Sequence, residues 1–334
     1  MKTKDSFLKR MMNSREVSLV LVLAVLCLLI QWRNNSFLTG KTIADMLKNY
    51  STTITLSLGM MSVLLIGGID ISVGATLAFS GMAAALLMRD GVYQSTFVMF
   101  LLSTAIGALC GTLIGAVISY GKVQPIIATL GTTYIFRGLT YIESNSAWVS
   151  AYQFPAEFKK FAQTNTLTFG LINNLVFIAI VCYIVFFILM KWTRFGRRIY
   201  AVGSNPDAAA VSGIHIDRIK FIVYILCGAF AGLTGAMYVS LYASAMNDMG
   251  MGMEMDVIAA CVIGGVSLSG GQGTVVGVLL GALTMAVICK ALPLIGISQF
   301  WQQAIKGAII LAAVIINVLV QRAMHRNALK AREI

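Results

Sequence analysis

The sequence predicts an all-α polytopic membrane protein with about ten transmembrane helices, some of them short or broken. Of the 334 residues, 58% are hydrophobic and only 11% are charged, whereas a soluble domain carries about a quarter charged residues. Several apolar stretches reach about 20 residues, the length that crosses a bilayer as a helix. Lys and Arg residues lie mostly between these stretches. The net charge of +12 therefore reflects topology and does not indicate a nucleic-acid partner.

Ten apolar segments follow one another along the chain. The third, eighth and ninth are short for a full crossing, so we expect them to be tilted, broken or re-entrant. The first follows a basic head and lacks a small-residue cleavage site, which favours a retained helix over a removed signal peptide. The segments run over residues 17–32, 44–66, 73–88, 94–119, 125–142, 170–190, 219–244, 255–267, 274–291 and 299–321.

The placement of charge predicts that both termini are cytoplasmic. Basic residues cluster at both termini and in the loop 191–218, which an even number of crossings places on one side. The loop 143–169 carries two Lys against two Glu, as an external loop should. The chain is thus divided into a basic cytoplasmic N-terminal segment, a transmembrane domain and a basic cytoplasmic tail, over residues 1–16, 17–321 and 322–334.

Residue types that carry metal, redox or nucleophilic chemistry are scarce. The six cysteines lie in or beside apolar stretches without a CxxC pair, and only two histidines exist, so we expect buried thiols and no metal site. The stretch from Gly115 to Lys122 has one residue too many between its glycines to be a phosphate loop. With no catalytic triad either, the sequence predicts no catalytic, cofactor or metal residues in this chain.

The loop 191–218 predicts a short helix outside the bilayer. Ser204 or Asn205 can cap it, Pro206 suits its first position, Asp207 favours its positive end and Gly213 is placed to stop it. A tidy connector would give the same pattern. The alternative is a docking element that a cytoplasmic partner grips and moves.

Two glycine-rich turns resemble each other. In the stretch 67–74, Asp70 and Ser72 can cap the helix that follows, and 264–271 repeats the Gly-Gly-x-x-x-Ser pattern. Paired interruptions can mark a central transport site, but both turns lie on the same side of the expected topology, as shared hairpin chemistry would also give. A membrane-buried Asp is costly, so Asp70 should face water, a partner or cargo if it lies deep.

Other features concern packing inside the membrane. Glycines recur at helical spacing, as in Gly107, Gly111 and Gly115, and permit close helix contact. Arg137 and Lys306 lie within predicted spans and should need buried partners, which the sequence does not identify.

Four motifs give the chain a family resemblance. Residues 193–209 read Thr-Arg-Phe-Gly-Arg-Arg-Ile-Tyr-Ala-Val-Gly-Ser-Asn-Pro-Asp-Ala-Ala, and Ser-Gly-Ile follows at 212. With the stretches 67–74 and 258–273, and with Ile-Ala-Thr-Leu-Gly-Thr at 127–132 followed by Arg137-Gly138, this loop resembles the ribose-type monosaccharide permeases of ATP-binding-cassette importers. The likeness covers roughly residues 15–322.

The resemblance implies a multi-pass protein of the bacterial inner membrane that works with a second, identical or paralogous permease chain. It also implies an ATPase subunit with two nucleotide domains, which uses ATP and Mg, and an extracytoplasmic solute-binding protein. Such importers carry ribose, galactosides, arabinose, xylose, allose or autoinducer-2, so the motifs leave the cargo open.

The candidate site residues fall into two groups. The first is an ATPase-coupling group in the loop 191–218, and the second is a translocation path or gate. The coupling group is Arg194, Gly196, Arg197, Gly203, Asn205, Pro206, Asp207, Ala209 and Gly213. The path group is Gly67, Gly68, Asp70, Ser72, Gly74, Thr129, Gly131, Arg137, Gly264, Gly265, Ser267, Gly270 and Gly271.

Two alternatives compete with an importer permease. An ion-gradient-driven transporter would need membrane-embedded carboxylates, for which Asp70 is a modest candidate. A membrane enzyme is disfavoured because Asp, Glu, His and Cys do not cluster.

Overall fold

The computed structural model describes residues 15–168, 170–294, 296–298, 301, 303–308, 311–312 and 315. This part of the chain is a bundle of helices, with one isolated antiparallel bridge between Val149 and Ala245. Two 3₁₀ turns lie in the loop before α7, at Ala151–Gln153 and Thr166–Thr168. The α-helices are α1 Arg15–Arg33, α2 Gly40–Leu65, α3 Val73–Arg89, α4 Thr96–Ser119, α5 Pro125–Glu143, α6 Ala156–Phe161, α7 Asn174–Trp192, α8 Arg194–Ser204, α9 Pro206–Val211, α10 Ile216–Tyr242, α11 Met253–Ile263 and α12 Val275–Leu294.

The all-α polytopic prediction is confirmed. Nine predicted segments correspond to helices α1–α5, α7 and α10–α12, and the described residues of the tenth, between 301 and 315, are helical. By length and composition, α1, α4, α7, α10 and α12 could each cross a bilayer. The expected shortness of the third and eighth segments holds, since α3 has 17 residues and α11 has 11.

The ninth segment is a correction. We expected it to be short, but α12 has 20 residues because the helix continues past Lys290 to Leu294. The residues of the basic head before Arg15 and of the tail 322–334 lie outside the described part, so the structure does not test those two predictions.

Helix α10 occupies the centre of the bundle and packs closely against α4. Ser103 donates a 2.6 Å hydrogen bond to the carbonyl of Gly232, and a methyl group added at Gly107 or Gly111 would collide with the α10 backbone. Gly111 faces Tyr224 while Ser103 faces Gly232, so the two helices run antiparallel. The glycine spacing therefore does allow the close helix contact expected from it.

The antiparallel arrangement defines two ends of the bundle. We call the end that holds Leu65, Ser119 and Ile216 the basal end, and the end that holds Thr96 and Tyr242 the distal end. Helix α1 runs from basal to distal beside α12. At the basal end the Thr274 hydroxyl donates to the Glu16 carboxylate at 3.2 Å, and at the distal end Asn34 donates to the Leu294 carbonyl at 3.2 Å.

Helices α3 and α11 are interrupted helices that begin inside the bundle. Non-helical segments 66–72 and 243–252 precede them. Their first turns meet, because a methyl group on Gly74 would lie 2.5 Å from the Gly250 carbonyl oxygen and 2.6 Å from the Glu254 carboxylate. From this meeting point α3 leads to the distal end and α11 to the basal end.

Candidate functional site

The loop 191–218 folds into two helices at the basal end, of which α8 is the first. The Thr193 side chain caps α8 by accepting a 3.1 Å hydrogen bond from the backbone N–H of Gly196. Ile199 and Val202 lie one turn apart and are buried against the bundle. The sequence analysis missed α8, although the capping threonine and this apolar spacing could have indicated it.

Helix α9 follows as the sequence predicted. The Asn205 side chain accepts a 3.0 Å hydrogen bond from the N–H of Ala208, and Pro206 occupies the first helical position. Ser212 ends the helix, and Gly213 has a φ of +79°, a left-handed conformation that favours glycine.

The two helices present different faces to the bundle and to the surroundings. Ala209 and Gly196 are buried, whereas Val211 at the tip of α9 is 91% exposed. Val211 is therefore accessible to a partner that approaches the basal end. The predicted loop residues that are exposed are Arg194, Arg197, Asn205, Pro206, Asp207 and Gly213.

Gly203, at the end of α8, lies in a close backbone contact that we call the glycine junction, formed by Gly67, Gly203, Gly270 and Gly271. The Gly271 N–H donates a 2.8 Å hydrogen bond to the carbonyl of Leu65 at the end of α2. A methyl group on Gly203 would overlap that carbonyl and lie 2.6 Å from the Gly271 nitrogen. Only glycine fits this crossing, which joins α8 to the two turns that lead to α3 and from α11.

A side-chain contact strengthens the same junction. The hydroxyl of Tyr200, on α8, donates a 2.8 Å hydrogen bond to the carbonyl of Gly273. A methyl group on Gly270 would lie 2.9 Å from the Gly67 nitrogen and 3.0 Å from the Gly203 carbonyl. The two glycine turns, about 200 residues apart in sequence, therefore meet at α8, within the loop 191–218 that the sequence singled out for coupling.

The remaining glycine and serine positions of the turns have packing roles nearby. Gly264 lies against Gly277 of α12 and not against α8. Gly68 lies under Tyr224, whose hydroxyl would be 2.6 Å from an added methyl group. Gly265 has a φ of +89°, and the Ser267 N–H donates a 2.9 Å hydrogen bond to the Gln272 carbonyl, which closes the second turn.

Asp70 closes the first turn. It is only 1% exposed, and its Oδ1 accepts hydrogen bonds of 2.9 Å from the backbone N–H and 2.6 Å from the hydroxyl of Ser72. The Thr129 hydroxyl is 3.4 Å from the neighbouring carbonyl of Ile69. These contacts hold the non-helical segment in place just before α3 begins.

Arg137 finds its partners in the other non-helical segment. Its guanidinium donates hydrogen bonds of 3.0 and 2.9 Å to the carbonyls of Asn247 and Met249, and the Ser144 hydroxyl donates to the Asn247 side-chain oxygen at 2.8 Å. Gly131, by contrast, has open space around it and lies apart from these contacts.

Lys306 forms an ion pair, as expected for a lysine within a predicted span. Its ammonium lies 2.9 Å from the Asp256 carboxylate in the first turn of α11, and the two side chains are 26% and 20% exposed. Cys289 and Tyr50 adjoin this pair. The pair joins the last helix to α11, whose other end leads into the glycine junction.

A cavity of about 790 Å³ lies in the distal half of the bundle, and the sequence analysis did not find it. Ion-pair residues and predicted path residues are not among its walls. The polar run Asn49-Tyr50-Ser51-Thr52-Thr53 within a predicted span was the signal that could have indicated it. Its lining is Asn49, Tyr50, Thr52, Thr53, Tyr238, Tyr242, Met253, Cys289, Lys290, Pro293, Leu294, Gly296, Ile297 and Ser298.

Comparison with known proteins places this sequence among transport proteins. Residues 42–314 match the family model described as branched-chain amino acid transport system / permease component. No solved structure matches the chain.

Curated relatives match over nearly the whole chain. The ribose import permease protein of Escherichia coli strain K12 is 35% identical over 89% of this chain and 92% of its own length. The galactose/methyl galactoside import permease protein of the same strain is 34% identical over 95% and 97%. The ribose import permease protein of Bacillus subtilis strain 168 is 36% identical over 88% and 90%.

Proposed function

Because this chain belongs to the family of transport-system permease components that its sequence matches from residue 42 to residue 314, we propose that its glycine junction couples a partner ATPase to a solute path. The chain is the permease subunit of an ATP-binding-cassette importer and a multi-pass membrane protein. The observation that carries the coupling proposal is the backbone contact between Gly203 of α8 and the turns that hold Gly67 and Gly271.

The lining of the distal cavity supports the proposal that the cargo is a small polyhydroxy compound. Tyr50, Tyr238 and Tyr242 contribute aromatic faces, and Thr52 and Thr53 contribute hydroxyls. Aromatic faces with a few placed hydrogen-bonding groups suit a sugar-sized ligand. The printed names of the relatives, ribose and galactose/methyl galactoside import permeases, support a monosaccharide or a similar polar solute.

The mechanism that follows is a transmission of motion from α9 through α8 and the glycine junction to the cavity, which we call the lever from α9 to the cavity. A partner that moves α9 also moves α8, because Asn205 ends one helix and caps the other. Since Gly203 leaves no free space at the junction, motion of α8 shifts the turns on either side of it. The turn at Gly271 lies at the basal end of α11, whose first residue, Met253, lines the cavity.

The proposal also includes the partner subunits and the orientation of the chain in the membrane. Two permease chains, identical or paralogous, enclose the path, and an ATPase subunit with two nucleotide domains uses ATP and Mg at the basal end. An extracytoplasmic binding protein delivers cargo to the distal end. The exposed basic residues Arg194, Arg197 and Arg198 at the basal end support a cytoplasmic location for that end in the bacterial inner membrane. Both termini are then cytoplasmic.

An ion-gradient-driven transporter is not favoured. The relatives are import permeases that match over 92% and 97% of their own length. Asp70, the carboxylate that the sequence offered for ion coupling, accepts two hydrogen bonds from Ser72, and Asp256 is paired with Lys306.

Affinity purification of the tagged chain from gently solubilised membranes tests the function. We expect an ATPase to co-purify, and we expect its hydrolysis rate to rise when the solute-binding protein is added. Recovery of a folded permease without any ATPase in several mild detergents would contradict the coupling proposal and favour ion-driven transport.

A further inference from the structure

Lys290 is a cation in the wall of the distal cavity. It lies in the last turns of α12, is half-buried and lines the cavity beside Cys289. In the part of the chain that the structure describes, no carboxylate lies within ion-pair distance of its ammonium. The cavity lining itself contains no Asp or Glu.

The other lysine of this region shows how the fold treats a cation in the membrane. The Lys306 ammonium lies 2.9 Å from the Asp256 carboxylate, so that carboxylate already has a cationic partner. Ionisable residues within transmembrane segments usually pair with each other or line the pathway of a substrate or ion. Lys290 lines a cavity but has no paired carboxylate, so its counter-charge is best sought in the molecule that the cavity receives.

The rest of the lining narrows the chemistry of that partner. Asn49, Thr52 and Thr53 supply hydrogen-bond donors and acceptors on one wall, and Tyr238 and Tyr242 pack with ring centroids 4.6 Å apart on another. These groups suit a polyhydroxy compound. A neutral sugar would satisfy them but would leave the ammonium of Lys290 without a counter-charge.

We propose that the distal cavity receives an acidic sugar, a polyhydroxy compound whose carboxylate pairs with Lys290 while its hydroxyls bond to Asn49, Thr52 and Thr53. This inference rests on the proposed import function and names the class of cargo for that site. It assigns Lys290 as the residue that distinguishes an acidic cargo from the neutral parent sugar.

The test compares matched acidic and neutral probes in proteoliposomes that contain the complete transporter with its binding protein. The radiolabelled pairs are ribonate with ribose, glucuronate with glucose, and galacturonate with galactose. We expect ATP-dependent uptake of at least one acid to exceed uptake of its neutral parent. ATP-dependent uptake of neutral sugars alone would overturn this inference and leave the importer function intact, whereas uptake of none of the six would count against both.

Variants at Lys290 test the residue directly. Lys290→Gln should lower the uptake efficiency of the acid roughly tenfold relative to that of the neutral parent, the loss expected for one partly solvated charge contact. Lys290→Arg keeps the charge and should retain acid uptake, which separates a lost contact from a misfolded variant. Lys48→Gln is the matched control, because Lys48 is a distal lysine that donates to Gln163 and does not line the cavity.

The ratio of acid to neutral uptake is the deciding readout. A merely structural role for Lys290, such as a cation at the end of α12, would lower both uptakes together or neither. An unchanged ratio in Lys290→Gln, with normal protein yield, would therefore overturn the assignment.

Discussion

At the scale of single residues, Gly203 carries the most specific structural demand. Its hydrogen faces the Leu65 carbonyl and the Gly271 nitrogen, and a methyl group would overlap the first. Replacing it with alanine must push α8 away from the junction, which we expect to cost about 1–3 kcal/mol in overpacking.

We therefore predict that Gly203→Ala lowers solute transport strongly and separates ATP hydrolysis from transport, while the protein still inserts. Gly131→Ala is the matched control, because Gly131 has open space around it and is also in a helix. Transport and ATPase assays on the reconstituted complex measure both effects. Normal transport in Gly203→Ala would show that the junction tolerates separation and would contradict the coupling mechanism.

For Asp70 we predict a different effect, because its carboxylate stabilises a turn. One oxygen accepts both hydrogen bonds from Ser72, and the residue does not line the cavity. Asp70→Asn keeps an acceptor there and should transport almost normally. Asp70→Leu leaves a buried N–H without a partner and should lower stability by about 1–3 kcal/mol.

Thermal unfolding of the two detergent-solubilised variants, together with uptake assays, separates these outcomes. A well-folded Asp70→Asn that no longer transports would mean that the negative charge itself is used. That result would revive the ion-coupled alternative.

At the scale of elements, α9 is a short helix that projects from the bundle. Val211 at its tip is 91% exposed and is therefore accessible to a partner at the basal end. We predict that Val211→Asp lowers recovery of the ATPase in affinity purification by about tenfold, the scale of one lost anchor residue. Val92→Asp, at an exposed valine in the distal turn between α3 and α4, should leave the recovery unchanged. Equal recovery in both variants would remove Val211 from the interface.

The ion pair between α11 and the last helix predicts a non-additive effect. Lys306→Met leaves the Asp256 carboxylate partly buried without a counter-charge, since that side chain is 20% exposed. We expect a loss on the order of 2 kcal/mol, below the range for fully buried pairs because water still reaches both groups. The double variant Asp256→Leu with Lys306→Met should recover much of this loss, as a double-mutant cycle of melting temperatures would show. Strict additivity would mean that the two charges do not interact.

Periodicity and capping residues predicted most of these elements from the sequence. Asn205 and Pro206 placed α9, and apolar length placed the spans. Helix α8 was missed because three arginines interrupt its apolar residues. Its buried face also consists of few residues, such as Ile199 and Val202. The meeting of the two glycine turns was beyond reach, since a contact between residues 67 and 270 depends on the packing of the whole bundle and leaves no local pattern.

At the scale of the whole molecule, the same reasoning explains why the cavity was not predicted. Its walls come from α2, α10, α11, α12 and the residues just after α12, and none of these elements contributes more than four lining residues. Polar residues near a predicted end could snorkel to the interface, and only the assembled bundle distinguishes the two situations. The partner of Lys306 was hidden for the same reason, since Asp256 lies 50 residues away.

The arrangement of ends leads to a prediction about orientation. The basal end carries the exposed arginines of α8. The distal end carries the loop that holds Ala151–Gln153, which is attached to the bundle by the bridge between Val149 and Ala245. The positive-inside rule places the arginines in the cytoplasm. In a cysteine-free background, and with the permease expressed without its ATPase so that α9 is uncovered, Val211→Cys should react with a membrane-impermeant thiol reagent only after the cells are opened.

A cysteine at the other end supplies the matched half of this experiment. Tyr152 is 83% exposed in the distal loop, so Tyr152→Cys should react in intact cells. This pattern puts the cavity on the side from which a binding protein delivers solute, and it puts Gly203 and α9 on the side where ATP is available. The opposite pattern would place the junction outside the cell, where no ATPase could act on it, and would refute the lever from α9 to the cavity as a whole. Labelling of both positions from one side would instead contradict the odd number of crossings between residues 152 and 211, which α7 alone provides.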